Sequence, residues 1–158
     1  MAERGKLDVG SGIELLRDVF CHQLDPSSSP EGTSSKMIID ASGVPRNAEK
    51  SELGSLGNLR KLGVLNVAYP ASNTLLQVLK MAPGSDAKAV LREVVKSPGF
   101  TICVDEDIDA SDIRQVIWGM STRFQPAEDL VLAGGGIGID GTKPPEWKAK
   151  RATVPWQK

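Results

Sequence analysis

The sequence predicts an α/β protein: one small domain with a mainly parallel sheet flanked by helices, plus an extended N-terminal arm. Three observations carry this. From Leu62 onward, short aliphatic segments alternate with segments of helical periodicity, the pattern of a largely parallel sheet with crossover helices. "FTICV" (100–104) is wholly apolar, as in strands buried on both faces of such a sheet. The first sixty residues are instead polar and rich in Ser, Gly and Pro, so residues 1–60 are expected to be loosely structured and 61–158 to form the domain.

Taken in order, "DPSSSPEGTSS" (25–35) reads as an exposed loop, and "MIID" (37–40) is a short apolar run in the arm. "GVLNVAY" (63–69) and "LLQVLKM" (75–81) read as strands, rich in β-branched and aliphatic residues and separated by "PASN". "SDAKAVLREVVK" (85–96) reads as a helix capped by Ser85 or Asp86, with Ala87, Val90, Leu91 and Val94 on one face. "SPG" (97–99) ends it, and "FTICV" follows. "ASDIRQVIWGMSTR" (110–123) reads as a second helix. Its stripe of Ile113, Val116, Ile117 and Met120 should face the sheet, leaving Trp118 beside it as an interface anchor. "DLVLA" (129–133) is another strand.

Composition excludes several functions. Charged residues make up 25% of the 158 residues and the formal net charge is −1, so no global field attracts nucleic acid or anionic membrane. Aromatic residues are 4%, too few for a base-stacking platform. No apolar run approaches the ~20 residues needed to cross a bilayer. Met1 to Gly10 is polar and lacks the apolar core of a signal peptide, and a cytoplasmic location is expected. Two cysteines and one histidine match no zinc pattern. Cys103 reads as a core residue. Cys21 and His22 are chain neighbours, whereas a nucleophile and its base usually meet through the fold.

Five carboxylates, Asp105, Glu106, Asp107, Asp109 and Asp112, follow "FTICV" within eight positions. They stand at the C-terminal edge of a strand, where open α/β sheets bind ligands. A calcium loop from Asp105 would need Gly at 110 and Glu at 116, and the chain has Ala110 and Val116. Asp105 and Asp107 partly match the "DxDx[TV]" of haloacid dehalogenase-type phosphatases, with Asp109 where Thr or Val belongs. The bland reading is capping: Asp109 or Ser111 accepting from the first N–H groups of the next helix, and Asp112 complementing its dipole.

"GGGIGIDGTKPP" (134–145) contains G-x-G-x-x-G at Gly136, Gly138 and Gly141. A dinucleotide fingerprint must open a helix, and Pro144 and Pro145 oppose one. A phosphate loop would need Lys before Thr, and the order is Thr142-Lys143. The stretch therefore reads as a glycine-rich turn. It has an echo: "IIDASGVP" (38–45) and "GIDGTKPP" (138–145) align Asp40 with Asp140 and Pro45 with Pro145, and "RDV" (17–19) echoes "EDL" (128–130). One tail segment is present twice.

"VDEDIDASDIRQVIWGMSTRFQPAEDL" resembles the C-terminal signature of the UbiD family of decarboxylases: a "VDxDID" turn, a helix carrying Trp118 and Thr122-Arg123, then Pro and Asp. "LDPSSSPEGTSSKMIIDAS" (24–42) is similar to the Leu-Asp-Pro loop and "K-φ-φ-Asp-Ala-Thr" that follow in that family. The resemblance covers about 62–145, plus the displaced piece at 17–45. It implies carboxy-lyase chemistry on aromatic or unsaturated acids. It also implies prenylated FMN, with a divalent metal and potassium, held by a larger part of the enzyme that carries a Glu-Arg-Glu network. Nothing in this chain matches that part. The resemblance thus implies a C-terminal domain that closes over an active site and makes subunit contacts, as a small or accessory subunit beside a larger catalytic chain or through self-association. No catalytic residue is assigned. Asp105, Asp107, Asp109, Trp118, Arg123, Asp40 and Asp140 are candidate structural or interface residues. Two alternatives are a non-catalytic scaffold that keeps the fold, and a small phosphatase using Asp105 and Asp107.

Overall fold

The computed structural model describes residues 4–5, 13–20, 33–39, 56–70, 76–96, 99–133 and 136–143. Asp40, Cys21, His22, Pro144, Pro145 and most of the loop at 25–35 lie outside them. Three strands, β1 (Arg4–Gly5), β2 (Ile13–Phe20) and β3 (Thr33–Ile39), form an antiparallel sheet in the order β1-β2-β3. A short helix, α1 (Leu56–Lys61), leads through Gly63 at φ 90 into the main domain.

The domain is a five-stranded mixed sheet, β4-β5-β6-β8-β7. It consists of β4 (Val64–Ala68), β5 (Leu76–Met81), β6 (Gly99–Val104), β7 (Leu130–Ala133) and β8 (Gly136–Gly141). The central strands β5, β6 and β8 are parallel. Both edges, β4 and β7, are antiparallel. Three helices lie between strands: α2 (Ala87–Val94), α3 (Ile113–Arg123) and the one-turn α4 (Pro126–Asp129).

Each face has its own core. On one, Leu79, Met81 and Cys103 pack with Val90, Leu91 and Val95 of α2 and its end. On the other, Val78, Ile102, Val104, Ile137 and Ile139 pack with Ile108 and Ala110 of the turn before α3 and with Val116 of α3. The α2 stripe is as the periodicity predicts, with Ala87, Val90 and Leu91 buried. Asp86 is its cap and accepts from Ala89 N at 2.9 Å.

Two expectations need correction. The glycine-rich stretch is a strand, and an interior one: β8 pairs with β6 on one side and β7 on the other. Glycine suits it because a Cβ on Gly138 would stand 2.9 Å from Val95 Cγ2 and 3.1 Å from Leu91 Cδ2. The stripe of α3 is rotated. Val116, Gly119 and Arg123 are its buried residues, while Ile117 is 55% exposed. Trp118 is half-buried beside that face, packed against the α3-side core, and Ile117 is the exposed large apolar residue of this helix.

Among the described residues, β3 meets the domain at the start of α4. Ser35 Oγ, on β3, accepts from Ala127 N at 2.9 Å and donates to Gln125 Oε1 at 3.3 Å. Gln125 gives α4 no side-chain cap of its own, so a residue 92 positions away caps this helix. Met37 of β3 packs beside it on the α3-side core.

Candidate functional site

β6 ends at Val104, and the acidic run begins at the C-terminal edge of the parallel strands. A turn closed by Ile108 N donating to Asp105 O at 3.2 Å reverses the chain there. Ile108 is fully buried in the core. α3 then brings Arg123, in its last turn, back to the carboxylates that open the turn. The guanidinium donates to Asp105 Oδ2 at 2.6 Å through Nη1. It also grips Asp107 with both ends of the fork, Nη1 to Oδ1 and Nη2 to Oδ2, each at 3.0 Å. Such bidentate geometry is a strength of Arg that Lys lacks. The Arg123 side chain is only 3% exposed, and its guanidinium carbon lies 5.3 Å from the centre of the Trp118 ring, within cation–π range.

Lys143 completes the cluster. Its backbone N–H donates to Asp105 Oδ2 at 2.9 Å, and its ammonium pairs with Asp107 Oδ2 at 2.8 Å. The sheet register explains why. β8 pairs with β6 so that Gly141 stands beside Val104, and the residues just past each strand end meet. Two carboxylates and two cations thus pin the β6–α3 turn, the end of α3 and the exit of β8 to one another.

The remaining carboxylates have local work. Asp112, not Asp109 or Ser111, is the N-cap of α3; it accepts from Arg114 N at 3.0 Å. Asp109 closes the preceding turn by accepting from Ser111 N at 2.9 Å and Ser111 Oγ at 2.6 Å. The Ser111 hydroxyl, with its N–H, holds the Asp109 carboxyl below its usual range. Asp112→Ala should therefore lower the melting temperature more than Asp109→Ala does. A thermal scan of both variants checks this, and the reverse order would restore Asp109 as the cap.

Asp140, the other candidate in the tail, lies on the α2 side of β8. Its Oδ1 accepts from Thr142 N at 3.0 Å and Thr142 Oγ1 at 2.6 Å. Burial nonetheless pushes its carboxyl above the ordinary range, against the pull of the Thr142 bonds. Nearby, Lys88 bridges α2 to Asp129 at 2.9 Å, and this hydrogen bond raises the Lys88 pKa. A carboxyl raised on folding takes up protons in the native state, so it favours folding at low pH, and that advantage is lost as pH rises toward the raised value. Asp140→Asn keeps an acceptor for Thr142 and removes the buried charge. It should melt no lower than the wild type at pH 7, with the difference shrinking as pH falls to the ordinary carboxylate range. A lower melting point at pH 7 would mean that the charge itself is stabilising.

A cleft of about 660 Å³ opens beside the cluster, between the β5–α2 loop and the ends of β6 and β8, lined by Asp86, Lys88, Asp105, Glu106, Asp140 and Lys143 among others. Its two lysines are already paired, with Asp129 and Asp107. A divalent metal does not fit Asp105 and Asp107, because Arg123 and Lys143 place positive charge 2.6–3.0 Å from their oxygens. Among the described residues no group of three His, Cys, Asp or Glu is arranged to hold a metal ion. Cys103 is fully buried, and burial pushes its thiol well up, the opposite of an activated nucleophile. Sequence reasoning brought Asp105, Asp107, Trp118 and Arg123 to notice. It missed Lys143, which only the pairing of β8 with β6 reveals.

The mixed α/β sheet thus carries at its C-terminal edge an Asp-Arg-Asp-Lys cluster whose charged side chains pair with one another. Residues 60–151 match the 3-octaprenyl-4-hydroxybenzoate carboxy-lyase C-terminal domain, and the chain belongs to that UbiD family. It is 27% identical over 126 residues to an anhydromevalonate phosphate decarboxylase of Aeropyrum pernix, covering 67% of this chain and 29% of that protein. It is 41% identical over 51 residues to a gallate decarboxylase of Lactiplantibacillus plantarum, covering 31% of this chain and 10% of that protein. The chain therefore spans less than a third of the length of these relatives. A solved structure of a dimeric form of the UbiD-class enzyme HmfF from Pelotomaculum thermopropionicum, in complex with prFMN, is 23% identical, with a TM-score of 0.49, covering 63% of this chain and 26% of that one.

Proposed function

We propose that this chain supplies the C-terminal, contact-forming portion of a UbiD-type carboxy-lyase for aromatic or unsaturated carboxylic acids. Prenylated FMN, with its divalent metal and potassium, and the acid–base residues belong to a larger catalytic portion. The observation that supports this is the state of the signature carboxylates. Asp105 and Asp107 are spent on Arg123 and Lys143 inside a domain of this family. A general acid or base must reach substrate with a proton to give or take. The same pairing weighs against the phosphatase alternative, whose nucleophile would have to be Asp105.

The test is direct. The purified chain should be colourless and should release no carbon dioxide from gallate or from simple unsaturated acids. It should co-purify from its native cells with a flavin-bearing chain of the UbiD type. Stoichiometric flavin on the isolated chain, or turnover by it, would sink the proposal.

A further inference from the structure

The described residues include five exposed large apolar side chains: Ile38, Leu62, Leu65, Tyr69 and Ile117. Three of them fall within eight positions, at the end of α1 and along β4: Leu62 at 41%, Leu65 at 52% and Tyr69 at 42%. β4 is the terminal strand of the five-stranded sheet, and among the described residues it pairs only with β5. Open edges are normally guarded by charge, proline or a covering element. Val64–Ala68 has neither a charged residue nor a proline, and its one irregularity is a register shift between Val64 and Asn66. Arg60 and Lys61 stand exposed just before it. An apolar centre with a charged margin is the composition of a protein interface.

The position of this edge in the family indicates what covers it. The match to a C-terminal domain starts at residue 60, and the relatives carry 71% and 90% of their length outside the matched piece. A domain that is C-terminal receives the rest of its protein at its N-terminal boundary. In this chain that boundary is α1 and β4. We infer that Leu62, Leu65 and Tyr69 form the face on which the catalytic portion of a UbiD-type carboxy-lyase seats. This rests on the function proposed above and adds the place of contact.

Photo-crosslinking in the native cells tests it. A benzophenone side chain replaces Leu65 in one version of the full chain and Ile117 in another, and crosslinked peptides are sequenced. The site at 65 should give at least tenfold more crosslink to a UbiD-type catalytic sequence than the site at 117. Crosslinks to that sequence from 117 and not from 65 would overturn the assigned face while leaving the function standing. Crosslinks from 65 to a second copy of this chain would replace the catalytic portion with self-association. If neither site reaches a UbiD-type sequence, the function falls together with the face. A Leu65→Asp, Tyr69→Asp double variant gives an independent readout: it should cut the co-purified flavin chain at least tenfold while keeping the wild-type circular dichroism spectrum, and undiminished flavin would overturn the assigned face.

Discussion

Arg123→Met should destabilise the domain by roughly 3–5 kcal/mol, the cost of leaving buried charges without their partner. The side chain is 3% exposed and faces two carboxylates, 13% and 26% exposed. Methionine matches its length and apolar stem, so the loss is one of charge and hydrogen bonding. Lys143 would remain beside Asp107, and that carboxylate keeps some contact with water. The lower part of the range is therefore expected. Arg123→Lys is the informative control. It keeps the charge and loses the fork that holds both oxygens of Asp107, so its stability should fall between wild type and Arg123→Met. Urea titration of the three proteins measures the order. Equal midpoints would show that the cluster contributes nothing to folding.

This cluster also shows how far the sequence could be read. The strands at 63–69 and 75–81 were legible from β-branched and aliphatic residues set off by turn residues, 100–104 from a wholly apolar run, and the helix at 85–96 from its 3.6-residue period. Helix α3 defeats that logic. Ile113, Val116, Ile117 and Met120 make a plausible stripe, yet the buried set turns to Val116, Gly119 and Arg123. A buried arginine looks like a surface residue until its partners are known, and those come from β6 and β8. The cap moved from Asp109 to Asp112 because eight residues holding five carboxylates offer several sites with the same local chemistry. β8 was hidden by composition. Gly136, Gly138 and Gly141 lower strand propensity, although Gly-Ile-Gly-Ile alternates with the period of a strand. Gly138 answers to Leu91 of α2 and to Val95 at its end, far away in sequence, and local patterns carry no record of such neighbours.

Gly138 gives the sharpest test of that packing. A Cβ there would lie 2.9 Å from Val95 Cγ2, 3.1 Å from Leu91 Cδ2 and 3.2 Å from Val131 Cβ. None of the three can retreat easily. Leu91 and Val95 are 0% and 2% exposed, and Val131 is the register partner of Gly138 in the β7–β8 ladder. Gly138→Ala should cost about 1–3 kcal/mol, the usual penalty for an overfilled core. Gly138→Ile should cost more and leave little folded protein. Isoleucine is the residue that the echo carries at the matching place, Ile38, where it is 49% exposed. The two tail copies are therefore not interchangeable: the β3 sequence cannot stand in for β8 beneath this α2. A double-mutant cycle separates crowding from a simple loss of glycine's backbone freedom. Val95→Ala alone leaves a cavity and destabilises, but it opens the space that a methyl group at position 138 needs. The Gly138→Ala, Val95→Ala pair should then lose less stability than the sum of its parts, by more than the few tenths of a kcal/mol seen for independent sites. Strict additivity would show that α2 does not press on β8 at this point.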